Sequence, residues 1–309
     1  MSHAIAEPIL EAATLLTVDV VIPVLNEERE LERSVQTVRA FLTKKLPCRW
    51  RIVVADNGSV DGTAEAGRNL ARSSSDVQFV RLERRGRGRA LRRAWLESSA
   101  DIVCYMDVDL STELEALPKA IRAMTEGHCD LAVGSRLLPG SKITRSLKRE
   151  VISRTYNFLV KALLHTRFSD AQCGFKALTR EVVETIVPQV RDESWFFDTE
   201  LLVLAERFGF RIQDLPVVWN DDADSRVRIL RTAWEDVRGL FRLRRLLKSR
   251  GFLEQAEKHR MRAQMRSAQA SAGRYAFPAP APAPSFGSSD RAPAKNAVAR
   301  TRAARSAGN

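Results

Sequence analysis

The stretch Ile102-Val103-Cys104-Tyr105-Met106-Asp107-Val108-Asp109 reads as a strand that stops abruptly at two acids. Its first five residues form an apolar run with β-branched and aromatic members, the composition of a buried strand. In an open α/β sheet, ligands gather at the carboxyl ends of the strands. Carboxylates at alternate positions of an extended chain point the same way, so Asp107 and Asp109 can hold one divalent cation, both directly or one through water. The same spacing also arises when the second acid only caps a turn. The surrounding chain decides between the two readings.

Upstream, Val18 to Pro23 reads as a first strand, followed by a helix to about Leu42 with Leu31, Val35, Val38 and Leu42 on one face. Arg51 to Ala55 is a second strand ending at Asp56, followed by turn residues and a helix from Thr63 to about Arg72. Val77 to Leu82 is a third, followed by the arginine-rich loop Arg84 to Arg89 and a helix to about Ser98. Strands alternating with helices of this length predict a mostly parallel sheet flanked by helices. Downstream, Pro118 suits the first turn of a helix ending before Gly127, and Leu131 to Gly134 reads as a further strand.

Two amphipathic helices follow, over 148–164 and about 229–248. In the first, Val151, Ile152, Thr155, Tyr156, Leu159, Val160 and Leu163 are expected on one face. The second alternates Leu230, Trp234, Val237, Phe241 and Leu247 with arginines. Packing on the sheet and lying on an anionic membrane surface both fit such patterns. The expected organisation is a flexible leader over 1–17, a folded α/β domain over 18–228, a basic amphipathic helix over 229–253 and a disordered Ala/Pro/Arg-rich tail over 254–309.

Composition narrows the class. The chain has 309 residues, 44% of them hydrophobic, enough for one sizeable core. Its net charge is +12, of which the ten basic and three acidic residues from Glu254 onward supply +7. The four cysteines lack metal-like spacing, which suits a reducing compartment. No basic, apolar leader or long apolar run predicts a signal peptide or a membrane span. A nucleic-acid-binding role is disfavoured, because the basic excess sits mostly in the tail while the ordered motifs end in acids.

Taken in order, PVLNE (Pro23 to Glu27), ADNGSVDGT (Ala55 to Thr63), the Gly86-Arg87-Gly88 loop, MDVDLS (Met106 to Ser111) and GSR (Gly134 to Arg136) closely resemble the family 2 glycosyltransferases of the GT-A fold. DAQCGFK (Asp170 to Lys176), WFFDTELL (Trp195 to Leu202) and WNDDADSRV (Trp219 to Val227) are similar to the branch that glycosylates dolichyl or other polyprenyl phosphates, nearest the dolichyl-phosphate β-glucosyltransferase type. The resemblance implies that Pro23, Asn26 and Glu27 border the nucleotide and that Asp56 binds the base. It places Asn57 where many relatives carry a second acid, and sets Arg87 near the donor phosphates. Asp107 and Asp109 would hold Mg²⁺ or Mn²⁺, with Ser111 standing where some relatives have a glutamine ligand. Arg136, Arg149 and Arg226 match basic positions on the acceptor side. Asp198 and Glu200 fall where other members keep a catalytic acid, and are expected to bind sugar hydroxyls.

A lipid monophosphate is already anionic, with a second pKa of about 6, so it needs no general base; it needs cations to steady it beside a leaving diphosphate. The expected activity is therefore inverting, metal-dependent transfer of a hexose from a nucleotide sugar to a polyprenyl phosphate, peripherally at the cytoplasmic face of the cell membrane. UDP-glucose is the favoured donor, with UDP-N-acetylgalactosamine and GDP-mannose as alternatives. A nucleotidyltransferase is disfavoured, since its glycine-rich signature should follow the first strand, where PVLNE stands. Oligomeric state is left open.

Overall fold

The computed structural model describes residues 16–144, 147–220 and 229–274. Arg226, nearly all of the expected leader and the tail from residue 275 lie outside the described residues.

The chain begins with β1 (Thr17–Val24), α1 (Leu31–Lys45), β2 (Arg49–Asp56), α2 (Thr63–Ser73), β3 (Val77–Arg81), α3 (Arg87–Glu97) and β4 (Ile102–Met106). It continues through α4 (Ala116–Thr125), β5 (Leu131–Ser135), β6 (Lys142–Thr144), α5 (Leu147–Leu164), β7 (Phe175–Thr179), α6 (Arg180–Ile186) and α7 (Phe197–Phe208). The last elements are β8 (Ile212–Pro216), β9 (Val218–Asn220), α8 (Ile229–Leu247) and α9 (Arg250–Arg274). The main sheet has seven strands in the order β3-β2-β1-β4-β7-β5-β8. Only β7 runs against its neighbours β4 and β5; the other pairings are parallel. The expected mostly parallel α/β sheet is thus present. Its strand order reverses between β1 and β4, which opens a crevice at their carboxyl ends.

The central strands β1, β4, β7 and β5 are buried on both faces, and period-two alternation sends the sheet's side chains into two cores. Val21, Val53, Val103 and Tyr105 pack with α3, α6 and α7. Val20, Ile22, Ile52, Val54 and Cys104 pack with α1 and α4, where Leu31, Val35, Val38 and Leu42 form the expected face.

Three expectations need correction. Asp107 and Asp109 do not sit at alternate positions of a strand. β4 ends at Met106, and the amide of Leu110 turns back to the Asp107 carbonyl with Leu110 at φ 51°. Asp107 is consequently half-buried while Asp109 faces solvent.

On α5 the expected apolar face is split. Asn157, Val160 and Leu164 point inward, whereas Val151 is 62% exposed and Phe158 69%. The inward row contains a polar residue because Asn157 accepts the amide of Ala171 and reaches Asp170, a partner invisible to a count of apolar spacing.

The chain also does not turn disordered at residue 254, since α9 continues to Arg274. Phe252 and Ala256, four residues apart, are buried, and the Phe252 ring meets Phe208 edge-on at 5.7 Å. His259 stacks on Phe210 at 4.8 Å. A narrow seam of this kind docks a helix whose overall composition is polar.

α8 is fastened by Leu240, Leu243 and Gly239, the last allowing close approach to the Phe196 ring. Burial pushes the Asp236 carboxyl on the same inner face up to about 7, against the hydrogen bond it accepts from Gln172 and with Asp192 and Glu235 adding to the rise. An unfolded aspartate titrates near 3.9. The folded state therefore holds this proton more tightly, and its stability should fall as pH rises from about 4 to about 7. Asp236→Asn should remove that component and raise the melting temperature at pH 8 relative to the parent, as thermal melts across pH would show.

Candidate active site

Two loops close one side of the crevice. Asn26, at φ 58°, donates its backbone amide to Ser59 Oγ and accepts the amide of Val60 on its side-chain oxygen. The Glu27 amide donates to Thr63 Oγ1, and that of Gly62 to Glu28. The Glu27 carbonyl accepts the amides of Glu30 and Leu31, starting α1. Pro23 is buried in β1 opposite Ala55. These residues thus fix the rim of the pocket at the end of β2.

Asp56 closes β2 at 0% exposure. Its Oδ1 accepts the amide of Ser59, while Oδ2 has no hydrogen bond and faces Arg81 only at 3.7 Å. A buried carboxylate oxygen without a donor is costly, so at this strand end it offers an open acceptor for an N–H group. Asn57 acts differently. Its side-chain oxygen accepts the amide of Gly86, lashing β2 to the glycine loop.

Across the crevice, Arg87 is buried at the start of α3 and bridges two acids. One nitrogen donates to Asp107 at 2.8 Å and another to Asp198 at 2.7 Å, with the guanidinium lying over Tyr105 and Trp195. Asp198 is in turn surrounded by donors. Tyr105 donates to it at 2.8 Å, and Lys176 approaches at 3.1 Å while also reaching the Cys173 carbonyl. Burial alone would raise the Asp198 carboxyl, yet Lys176, Arg87 and the Tyr105 hydroxyl hold it below the usual range. Burial beside Asp198 pushes the Tyr105 phenol well above its ordinary value, keeping it a donor.

The acceptor-side arginines divide. Arg136 forms a two-pronged pair with buried Asp170, at 2.7 and 2.9 Å, and lies over the Trp219 ring of β9. Burial opposes the Asp170 charge, but Arg136 holds that carboxyl low. Arg149 stands half-buried in the first turn of α5. Glu200, expected to bind sugar, is instead fully buried. Its Oε2 accepts Arg242 of α8 at 2.8 Å and the Asp192 amide at 2.9 Å, while its buried Oε1 has no hydrogen bond among the described residues. Neither Asp198 nor Glu200 is therefore placed as a sugar-hydroxyl ligand here; both anchor cations.

Lys176 and Gly174 were not singled out from the sequence, although both lie in the DAQCGFK motif. A lysine inside the apolar run Phe175 to Leu178 was the available signal, because a charge in a central strand demands a partner. Gly174 supports Asp107 directly, and a methyl group there would overlap the Asp107 carboxylate.

Among the described residues no group of three or more His, Cys, Asp or Glu side chains could hold a metal ion. Asp107 and Asp109 offer carboxylate oxygens suited to a hard cation, and oxygens of a bound diphosphate would have to complete its shell. Asp109 already accepts the amide of Ser111 at 3.0 Å, so the turn also presents this acid.

Gly174→Ala should push Asp107 off its seat, lowering turnover by about 100-fold and, because buried Arg87 then loses one counter-charge, lowering the melting temperature as well. Asp198→Asn should be felt chiefly as instability. Leaving Arg87 and Lys176 short of their counter-charge costs about 3–5 kcal/mol, readable in denaturant unfolding.

Comparisons with known proteins agree with this geometry. Residues 19–187 match the model of glycosyl transferase family 2. The chain is 37% identical over 241 residues to glycosyltransferase AglD of Haloferax volcanii, covering 74% of this chain and 39% of that protein. It is 30% identical to the dolichyl-phosphate beta-glucosyltransferase ALG5C of Trichomonas vaginalis, covering 68% and 65% respectively. The chain thus spans less than two thirds of either relative. Glucosyl-3-phosphoglycerate synthase of Mycobacterium tuberculosis, solved with Mn²⁺ and UDP, shares the fold with a TM-score of 0.56 at 22% identity, over 79% of this chain and 85% of that one. With the ordered motifs folded around one crevice and more than half its length matched by the family model, the chain is a member of glycosyl transferase family 2.

Proposed function

We propose that the protein transfers a hexosyl group, with inversion, from a nucleotide sugar, UDP-glucose in the first instance, to a polyprenyl phosphate at a membrane surface. The observation that carries the acceptor class is the commitment of the two candidate bases. Asp198 and Glu200 stand where a catalytic acid is expected, and each is buried against cations. A sugar hydroxyl would need one of them to take its proton, whereas a phosphate nucleophile arrives deprotonated. The dolichyl-phosphate glucosyltransferases among the relatives support the same acceptor.

On this reading the Asp56 Oδ2 accepts the imide N–H of uracil, and the rim built by Asn26 and Glu27 borders the nucleoside. Asp107 and Asp109 would hold Mg²⁺ or Mn²⁺, which would offset charge on the departing diphosphate. Arg87, released from Asp107, lies within reach of the same diphosphate. Arg136 and Arg149 would steady the acceptor phosphate, with Arg226 closing on it. Keeping these cations on the acceptor side reduces repulsion between two anionic reactants.

The membrane reading is supported by the outer faces of two helices in contact, α5 and α8. Beside Val151 and Phe158 of α5, Trp234 and Phe241 of α8 are 64% and 59% exposed. Arg238 and Arg245 of α8 are not buried either, and aromatic rings flanked by arginines suit an anionic interface. Among the described residues no helix is long and apolar enough to cross a membrane.

Purified protein offered labelled UDP-glucose, UDP-N-acetylgalactosamine or GDP-mannose with polyprenyl phosphate should move the glucose label into organic solvent as an acid-labile product. Asp109→Ala should lower that transfer at least 100-fold with the fold intact. Label appearing only on water-soluble acceptors would refute the acceptor, and full activity in Asp109→Ala would refute the metal.

A further inference from the structure

The far ends of α5, α7 and α8 meet the first half of α9 around a cavity of about 460 Å³. Ligand sites commonly occupy about 300–1,000 Å³. Arg207, Arg244, Lys248 and Arg260 line it together with Leu247 and Leu253, and no acidic residue does. Arg207 lies nine residues beyond Asp198 on α7, roughly 14 Å along the helix at 1.5 Å per residue, so this groove is separate from the catalytic crevice.

Arg207 is tied to the Leu164 carbonyl at the end of α5. The side chains of Arg244, Lys248 and Arg260 have no hydrogen bond or ion pair among the described residues. A cation at a helix C-terminus relieves the helix dipole, which accounts for Arg207 and for one residue of α8. It does not account for Arg260, which α9 delivers from its interior.

Two exposed stripes lead into the groove. Val151 and Phe158 on α5 are seven residues apart, as are Trp234 and Phe241 on α8. A further seven residues bring these rows to His165 and Lys248, both on the groove lining. Leu253, at its edge, is 50% exposed.

We propose that this groove binds the headgroup of an anionic phospholipid, with the phosphate held by Arg244, Lys248 and Arg260 and the first acyl carbons lying on Leu247 and Leu253. The proposal rests on the membrane reading for its setting, but its test uses neither sugar donor nor polyprenyl acceptor.

Calorimetric titration of the full chain with dihexanoyl-phosphatidylglycerol below its micelle concentration should give saturable one-to-one binding. Dihexanoyl-phosphatidylcholine and glycerol phosphate should bind at least 10-fold more weakly. Arg244→Gln with Arg260→Gln should cost about 25-fold, at about a factor of five per guanidinium. Lys248→Glu, a single change at an exposed position, should weaken binding as well if the double variant folds poorly. The control pair Arg68→Gln with Arg72→Gln on α2 should leave binding unchanged, and all these variants should keep the parent's circular dichroism spectrum. Absence of saturable phosphatidylglycerol binding would overturn the proposal. So would an equal loss in the control pair, which would mark general charge attraction, or equal affinity for glycerol phosphate, which would mark a soluble phosphate ligand.

Discussion

The site depends on one guanidinium shared between two carboxylates. Arg87 is buried, so its charge is tolerable only because Asp107 and Asp198 lie within 2.8 Å of it. Asp198 is tolerable only because Lys176 and Tyr105 complete its shell. Removing any member leaves the others under-compensated where water cannot make up the loss. This explains why α7 is buried even at Asp198, Thr199 and Glu200: it is a charged spine inserted beside the sheet. The antiparallel β7 is what brings Lys176 to that spine, and the residue just before the strand, Gly174, is what seats Asp107.

The same arrangement divides the acids into two groups. Those on α7 and in the loop before β7 hold cations in place, while Asp56 and the Asp107–Asp109 turn stand at strand ends, where the proposal puts the ligand, with Asp107 also holding Arg87. Acid content alone would have assigned all of them to chemistry. Burial and partner geometry separate them. On the proposed reading, the reaction then proceeds by holding charges at fixed positions, with the nucleophile supplying its own negative charge.

Much of this was legible in the sequence. Strand ends that finish in an acid, at Asp56 and Asp107, announce themselves because an apolar run breaks sharply, and the alternation with helices fixes the parallel sheet. The tight turn after Met106 was not legible, since it depends on a single positive φ at Leu110, a residue that rarely adopts one. The inward row of α5 was misjudged because Asn157 takes a core position through hydrogen bonds to the loop holding Asp170. Docking of α9 escaped notice because Phe252, Ala256 and His259 are too sparse to stand out against a polar background. Lys176 was legible in principle, as a charge set in an apolar strand, but its partner Asp198 lies on a distant helix.

The pairing of Arg136 with Asp170 and of Arg87 with Asp198 has a consequence for the long-range field. Each of these two cations reaches the crevice with an opposite charge already beside it, so the pair adds little to the field in the surrounding electrolyte. On the proposed reading, what they contribute to holding an anion acts by contact at close range, where salt screens least.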